Sequence, residues 1–349
     1  LSVLHDRVPP RPFEMIRGQI EREMGRPLSA LYASFNEQPI ASASLAQVHE
    51  ARLHDGRRCA VKVQYPGIAA RVNADLRNLM FVLRILARLE SNFDFRAVAR
   101  EMLKYVPMEL DFVNEGHNCE QIGRNLAGRP DVLVPRIYWE LTSRRVLTME
   151  FMEGIKITEL GGTDINRHEV AQKLVEVYCT QILRDGFFQA DPHPGNILVQ
   201  PGPRLVLLDF GLAKEFPPAF RDGVVRLTLA VLTSDQAGII RAFGELGFKT
   251  RNGSLDGMVK VSDLLIGNAI KRGKSYADQD LMKEISDELP RALRANPIVE
   301  VPGDILLVSR VMGLLSGLGK SLDSRVDILQ TMMPYALLSS SAPSRAVQG

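Results

Sequence analysis

Cysteine is scarce in this sequence. Only three cysteines occur among 349 residues, at Cys59, Cys119 and Cys179, and no two of them form a C-x-x-C pair. A disulfide framework needs several cysteines at close spacing, and a structural zinc site needs paired ligands. The composition therefore argues against both kinds of site and favours three buried thiols in a reducing compartment.

Long apolar runs and a large excess of one charge are also missing. No stretch reaches about 18 apolar residues without a charge, and the nearest one, ILLVSRVMGLLSGLG at 305–319, carries Arg310 at its middle. This run is typical of a buried helix, so no membrane span is expected. The formal net charge is only +2 and the arginines are scattered. We therefore expect no nucleic-acid partner.

The amino end has no recognisable signal or transit peptide. Such a peptide would show a basic segment followed by an apolar run, or an amphipathic arginine-rich stretch. The first residue is Leu1, not Met. We expect a processed form or a fragment of a longer protein, from which any targeting segment is missing.

The order of helix-like and strand-like stretches predicts two lobes. Residues 1–37 have helical spacing of apolar side chains, and 40–64 alternate as a hairpin around the turn HDG. Helical periodicity returns over 66–105 and 108–126, and VLVPRIYWEL and RVLTMEFMEG are typical of strands. After Gly154 the pattern is mainly helical, apart from short strands at ILV and LVLLDF.

These patterns predict an α+β fold. The predicted parts are a small, β-rich N-lobe with extra helices at 1–150, a mainly helical C-lobe at 151–338, and a tail at 339–349. The tail is rich in Ser, Ala and Pro, which is typical of a mobile chain end.

Acidic and amide side chains interrupt the apolar stretch FFQADPHPGNILVQPGPRLVLLDFG at 187–211. Asp191 and Asn196 are spaced as D-x-x-x-x-N, and Asp209 begins a D-F-G triplet. Phosphoryl transfer from ATP needs such a set, because one carboxylate orients or deprotonates the attacking hydroxyl while an amide oxygen and a second carboxylate hold Mg²⁺. Residues that merely cap turns are the alternative, but the joint spacing favours the catalytic interpretation.

A lysine in the apolar strand CAVKVQ and a small-residue loop before it complete a predicted nucleotide site. Lys62 would pair with the α and β phosphates, although by itself it could be an edge lysine whose charged end reaches water. The stretch ASASLAQV has alanines where the kinase loop has glycines. Its candidate nucleotide-binding residues are Ala41, Ser42, Ala43, Ser44, Ala46 and Val48. Because alanine resists positive φ, this loop should be stiffer than a glycine loop; an ordinary turn is the alternative.

Three acids lie in MELDFVNEG at 108–116, on one predicted helix. Glu115 is a candidate partner for Lys62, in the place of the αC glutamate of kinases. Glu109 and Asp111 could face the same cleft, or all three could belong to a solvated helix face.

An apolar strand ends in LTMEFMEG at 147–154, which we interpret as the hinge between the lobes. Backbone groups near Glu150 and Met152 would bind adenine there. On its own this stretch is only the end of a strand.

Together these motifs resemble the UbiB-type (aarF/ADCK) atypical kinase family. The resemblance is carried by the alanine loop, ELDFVNE, GFFQADPHPGNILV and LLDFG, and it extends from LHDRVPP to RVMGLLSGLGKSLD. It implies a two-lobed protein-kinase-like fold with family-specific helices on the small lobe. The roles it implies are an ion pair of Lys62 with Glu115, a catalytic Asp191, Mg²⁺ ligands Asn196 and Asp209, and an E-x-D motif of Glu109 and Asp111.

The sequence departs from the family pattern in two places. The family has an upstream K-x-G-Q motif whose lysine meets the E-x-D acids, but no lysine precedes Lys62 in this chain. We therefore expect Glu109 and Asp111 to face solvent or each other. The histidine usual in the catalytic loop is Gln189 here, at a position that is largely structural.

No A-P-E-like segment follows DFGLAKEFPPAF, where protein kinases order a peptide platform. This favours a small molecule, a lipid, or partner-coupled ATP hydrolysis over a protein substrate. The resemblance implies an ATP-binding, Mg²⁺-dependent kinase or ATPase that supports ubiquinone or related prenyl-lipid metabolism. It also implies a lipid or membrane surface and a quinone-biosynthesis complex as partners, in mitochondria, plastids or at the cytoplasmic membrane face of bacteria. A true protein kinase and a catalytically silent, nucleotide-gated binding module are the alternatives.

Overall fold

A computed structural model describes residues 9–89, 108–262, 264, 296–322, 324, 326 and 328–341. The chain divides into two compact units. The first unit comprises Leu1–Arg124, Val134–Glu153 and Leu207–Leu212. The second unit comprises Asn125–Leu133, Gly154–Val206 and Ala213–Gly349.

The described strands and helices are numbered in chain order. The strands are β1 (Ser34–Ser42), β2 (Ala46–Arg52), β3 (Arg58–Gln64), β4 (Val132–Leu133), β5 (Val146–Glu150), β6 (Ile155–Lys156), β7 (Phe187–Gln189), β8 (Ile197–Gln200), β9 (Arg204–Leu207), β10 (Ala213–Glu215), β11 (Lys249–Thr250) and β12 (Ile298–Glu300). The α-helices are α1 (Phe13–Met24), α2 (Leu28–Leu31), α3 (Ile68–Leu89), α4 (Phe112–Asn125), α5 (Arg167–Cys179), α6 (Pro218–Leu232), α7 (Gln236–Leu246), α8 (Gly257–Ser262), α9 (Gly303–Ser321) and α10 (Ile328–Ser341).

An antiparallel sheet with the strand order β1-β2-β3-β5 forms the framework of the first unit. Alternate residues of β3 are buried on one face, because side chains in a strand point in turn to opposite sides. Cys59, Val61 and Val63 are fully buried there, in a core that also contains Ile16 and Ile20 of α1. The residue between Val61 and Val63 therefore belongs to the opposite face of the sheet.

The strands predicted around HDG are confirmed as β2 and β3, whereas two other local predictions are wrong. Helix α1 ends at Met24 because Gly25 adopts a left-handed conformation with φ 64°. The chain then enters β1 at Ser34, so the helical interpretation of 1–37 fails over its last residues. Of VLVPRIYWEL, only Val132–Leu133 is a strand; Pro135 has no N–H for a ladder, and Trp139–Leu141 form a 3₁₀ turn.

The second unit contains a four-stranded sheet with the order β4-β9-β8-β6, two small strand pairs and most of the helices. The apolar run at 305–319 lies in α9, which buries Leu307, Val311, Leu315 and Leu318. The buried-helix prediction is thus confirmed. No helix among the described residues is long and apolar enough to cross a membrane.

Two further predictions concern the chain end and the thiols. Helix α10 continues to Ser341, so the prediction of a mobile tail is wrong for 339–341, and 342–349 lie outside the described residues. Cys59, Cys119 and Cys179 are all buried and unpaired, which confirms three buried free thiols.

Candidate active site

The first unit brings together a lysine and a glutamate that are 53 residues apart in the sequence. Lys62 of β3 donates to both carboxylate oxygens of Glu115 on α4, with Nζ 2.7 Å from Oε1 and 2.9 Å from Oε2. Lys62 Nζ also lies 3.5 Å from Asp209 Oδ2 and 5.1 Å from the centre of the Phe112 ring. The Lys62 ammonium therefore lies within ion-pair distance of both carboxylates, and the Phe112 ring lies beside it.

Burial governs the electrostatics of this cluster. Only 2% of the Glu115 side chain and 18% of the Lys62 side chain are exposed, against 39% for Asp209. Burial raises the pKa of Glu115 above its ordinary value, while Lys62 and a backbone hydrogen bond from Phe210 oppose the rise. For Lys62, burial lowers the pKa, but the two carboxylates outweigh it and raise the pKa overall. The lysine therefore remains charged across the neutral range.

The D-F-G segment is held to α4 by a second contact, which involves a residue outside the motifs. The Asn118 side chain donates from Nδ2 to the Phe210 carbonyl at 3.0 Å, and both residues are buried. Gly211 donates its N–H to Asp209 Oδ1 at 3.0 Å, which fixes the carboxylate against its own turn. Asn118 follows Glu115 by one helical turn, and this i, i+3 spacing was the available signal.

The alanine loop is a tight connection between β1 and β2. Ala41 pairs with Val48 and Ser42 with Gln47, and the Ala43 N–H donates to the Ala46 carbonyl at 2.8 Å. Val48 is in turn the register partner of Lys62. Ser44 and Ala43 lie at the exposed tip of the connection.

Tyr65 anchors this loop from the end of β3. Its hydroxyl donates to the Ala43 carbonyl at 3.1 Å, and its N–H donates to the Leu45 carbonyl at 3.0 Å. Among described non-glycine residues only Ser234 has positive φ, so the loop alanines avoid the conformations that glycine would permit.

The E-x-D segment differs from the single helix expected over 108–126. Met108–Leu110 form a 3₁₀ turn, and α4 begins after Asp111, whose Oδ1 accepts the N–H groups of Val113 and Asn114 at 3.1 and 3.4 Å. Aspartate is a favourable N-cap residue, so Asp111 lies at the boundary between the 3₁₀ turn and α4. Asp111 Oδ2 also lies 3.4 Å from Arg144 Nε. Asp111 is partly exposed and Arg144 follows it in the chain, so the absence of a cationic partner from upstream stays a prediction; the Glu109 side chain lies outside the described residues.

The predicted hinge follows the edge strand β5. The Glu150 N–H donates to the Arg136 carbonyl at 2.8 Å, and the Phe151 N–H donates to the Arg58 carbonyl at 3.3 Å. Glu150 is exposed and Met152 is half-buried. The backbone N–H of Glu150 is thus already hydrogen-bonded within the first unit.

The second unit contains the catalytic-loop candidates. Asp191 follows β7, its carbonyl accepts the His193 N–H at 2.8 Å, and a 3₁₀ turn at Pro194–Asn196 leads into β8. Asn196 is half-buried at the end of this turn. Gln189 is buried and accepts the Tyr178 hydroxyl at 2.6 Å, which agrees with a structural role for that position.

A basic residue that the motifs did not mark contacts Asp191. Arg310 Nη2 of α9 lies 3.1 Å from Asp191 Oδ2. The sequence offered no signal for this contact: Arg310 begins the stretch RVMGLLSGLGKSLD, to which no site role was attached, and it lies 119 residues farther along the chain (310 − 191).

Oxygen donors are present for a hard divalent cation. Asp209 offers a partly exposed carboxylate in the first unit, and Asn196 offers an amide oxygen in the second. Such ligands suit Mg²⁺, which prefers oxygen and usually binds few protein groups alongside nucleotide phosphates. Among the described residues no three His, Cys, Asp or Glu side chains form a metal-binding group of their own.

Comparison with known proteins gives consistent matches over most of the chain. Residues 3–243 match the family described as ABC1 atypical kinase-like domain. Protein ACTIVITY OF BC1 COMPLEX KINASE 7, chloroplastic, from Arabidopsis thaliana is 33% identical over 96% of this chain and 49% of its own length. AarF domain-containing protein kinase 1 from Gallus gallus is 33% identical over 94% of this chain and 65% of its own length.

Among solved structures, the Rv3197–erythromycin complex from Mycobacterium tuberculosis superposes with a TM-score of 0.74. Its sequence is 26% identical, and the match covers 93% of this chain and 82% of that one. The curated relatives are longer, since this chain spans only about half to two thirds of their length.

Proposed function

The chain belongs to the ABC1 atypical kinase-like family, and we propose that it is an ATP-binding, Mg²⁺-dependent kinase or ATPase. The observation that carries the proposal is the cluster of Lys62, Glu115 and Asp209. A charged lysine held by a buried glutamate beside a D-F-G aspartate is the arrangement that kinase-like folds use for nucleotide phosphates. Buried charges are costly unless they bind a partner, and phosphate and metal would be such partners.

Each residue has a definite role in this proposal. Lys62, held by Glu115, binds the α and β phosphates, and the alanine loop with Ala41, Ser42, Ala43, Ser44, Ala46 and Val48 covers the nucleotide. Asp209 and Asn196 would hold Mg²⁺, which when bound neutralises charge on the phosphates. Asp191 orients the hydroxyl that attacks the γ-phosphoryl group. Backbone groups near Glu150 and Met152 bind adenine, with Glu109 and Asp111 as a regulatory acidic motif.

The substrate is proposed to be a small molecule or a lipid in ubiquinone or related prenyl-lipid metabolism. The absence of an A-P-E-like segment after DFGLAKEFPPAF supports this choice over a peptide. A membrane surface or a quinone-biosynthesis complex is the proposed partner. One relative is named as chloroplastic, which supports a plastid location in a eukaryote. A mitochondrial location, and the cytoplasmic membrane face for a bacterial protein, are also proposed.

A thermal-shift titration with Mg-ATP tests the nucleotide site. Asp209→Asn should remove most of the Mg²⁺-dependent stabilisation by ATP, because the substitution deletes a charged metal ligand and keeps the shape of the side chain. Asp55→Asn is the matched control, since Asp55 is an exposed aspartate of the same unit that pairs with Arg57. Equal stabilisation of wild type and Asp209→Asn by Mg-ATP would refute the assignment.

ATP turnover with and without vesicles separates the candidate functions. Turnover that rises with vesicles containing a prenyl lipid, relative to matched vesicles without it, supports the lipid proposal. A phosphopeptide product in the presence of a protein partner would favour a true protein kinase, an alternative in line with the name of the Gallus gallus relative. Nucleotide that stays intact over long incubation would instead indicate a silent binding module.

A further inference from the structure

An arginine of helix α9 contacts the proposed catalytic aspartate. Arg310 Nη2 lies 3.1 Å from Asp191 Oδ2, although the family match ends at residue 243. Both residues belong to the second unit. Nothing in the D-x-x-x-x-N motif requires a cation there, so the contact needs a separate explanation.

Helix α9 holds this arginine on a fixed support. Leu307 and Val311 on either side of Arg310 are buried, and Val311 is fully so. One turn before Leu307, Asp304 forms an ion pair with Lys214 of β10 at 3.0 Å, and both side chains are mostly buried. A side chain carried by a packed helix is placed more accurately than one carried by a loop.

We propose that Arg310 is a positioning residue for Asp191. The guanidinium holds Oδ2 while the turn holds the backbone, because the Asp191 carbonyl accepts the His193 N–H at 2.8 Å. An ionised carboxylate has four acceptor positions on two oxygens. One oxygen can therefore be held by Arg310 while the other faces the acceptor hydroxyl. The inference rests on the proposed function, since it takes Asp191 as the group that orients that hydroxyl.

The exposure of the pair argues against an inhibitory latch. The Arg310 side chain is 51% exposed and that of Asp191 is 37% exposed. Ion pairs this exposed shift an equilibrium by about fivefold at most. Such a shift is too small to keep an enzyme inactive, but it is enough to favour one orientation of a carboxylate.

Nucleotide affinity and ATP turnover at saturating Mg-ATP, measured on the same variants, test the proposal. Arg310→Met should lower saturating turnover by about two- to fivefold, because the carboxylate loses its preferred orientation, while nucleotide affinity changes by less than about twofold. Arg310→Lys should lie between Arg310→Met and wild type, since an ammonium supplies charge without the planar fork. Guanidinium chloride at millimolar concentration should partly restore the turnover of Arg310→Ala, a result that a structural role would not give.

Arg226→Met is the matched control. Arg226 pairs with Glu245 at 2.7 Å on the surface of the same unit, and its side chain is 52% exposed, nearly as much as Arg310. Its loss should leave both measurements unchanged. Thermal midpoints of all variants within a few degrees of wild type show that the fold is kept.

Three results would overturn the inference. Unchanged turnover in Arg310→Met makes the contact incidental, higher turnover makes it inhibitory, and weaker nucleotide binding with normal saturating turnover assigns Arg310 to the nucleotide. A wild-type protein without any turnover refutes the proposed function and this inference with it. An active wild type with an equally active Arg310→Met refutes the inference alone.

Discussion

Replacing Lys62 with methionine should leave a buried carboxylate without its cation. Methionine keeps the apolar stem of the lysine beside Phe112, so the change is mainly one of charge. Because only 2% of the Glu115 side chain is exposed, water cannot take the place of the Lys62 ammonium. Removing one member of a buried pair is therefore strongly destabilising, by about 3–5 kcal/mol in comparable cases.

The loss should depend on pH, and its size follows from protonation of Glu115. If burial keeps Glu115 neutral in the folded variant, the glutamate must bind a proton when the variant folds at pH 7. This pH lies about 2.5 units above the ordinary pKa of 4.5. At 1.36 kcal/mol per unit this costs about 3.4 kcal/mol, and near pH 5.5 only about 1.4 kcal/mol. Burial raises the pKa of Glu115 to about 7 in the wild type, so the wild type already carries about 3 kcal/mol of this cost near pH 7. The pH-dependent part of the difference between the two proteins is therefore about 0.4 kcal/mol near pH 7 and about 2 kcal/mol near pH 8.5.

The sign of this dependence is definite. A carboxyl whose pKa is raised in the folded state binds more protons folded than unfolded, so it favours folding at low pH. Because the pKa of Glu115 is already raised to about 7 in the wild type, stability of Lys62→Met relative to wild type should fall as pH rises above about 7. A loss that is the same near pH 6 and pH 8.5 would contradict this reasoning.

Fluorescence of the single tryptophan during urea unfolding is a suitable assay. Trp139 lies in the first unit, where its Nε1 donates to Glu120 on α4 at 2.7 Å, so its emission reports on the helix that carries Glu115. The double variant Lys62→Met/Glu115→Gln, which removes both charges, should return to within about 1 kcal/mol of wild type. Arg17→Met, which breaks an exposed i, i+4 pair with Glu21, is the control and should cost about 0.3–0.5 kcal/mol. A double variant no more stable than Lys62→Met would refute the uncompensated-charge explanation.

Three further perturbations probe the first unit. Burial lowers the pKa of His49, so stability should fall as pH drops below about 6.5, and His49→Gln should reduce that slope in thermal melts; an unchanged slope would exclude this histidine. Gly116→Ala should destabilise by about 1 kcal/mol despite better helix propensity, since its Cβ would lie 2.7 Å from a ring carbon of Trp139; a gain in urea midpoint would show that the ring moves freely. Asn118→Leu should destabilise the fold by about 1–3 kcal/mol, because the buried Phe210 carbonyl loses its hydrogen-bond donor, and it should weaken stabilisation by Mg-ATP. An unchanged thermal midpoint and an unchanged Mg-ATP shift would show that water replaces the amide.

Local spacing predicted much of the candidate site. The D-x-x-x-x-N and D-F-G motifs and the lysine in an apolar strand are short-range patterns, so they could be read without the fold. The pairing of Lys62 with Glu115 is long-range, and it was accessible only because the residues resemble a family in which that pair is formed. Arg310 had no such support, since its contact with Asp191 depends on how α9 packs in the second unit.

Element boundaries were less predictable for a physical reason. The apolar spacing over 1–37 indicated a helix, but a left-handed Gly25 ended it at Met24, and β1 then began at Ser34. Likewise one helix was predicted over 108–126. The Asp111 side chain caps α4 instead, so a separate 3₁₀ turn precedes the helix. In both cases one residue with a strong backbone preference outweighed the periodicity around it.

Helix α4 links the lysine of the first unit to its D-F-G segment. It carries Glu115, which holds Lys62, and one turn later Asn118, which holds the Phe210 carbonyl. Both contacts are buried, and a helix moves as a rigid body, so a displacement of α4 that broke one contact would strain the other. The start of α4 is set by the Asp111 cap. Asp111, the aspartate of the E-x-D motif, therefore affects the proposed nucleotide site through the position of α4. It needs no contact with the nucleotide to do so.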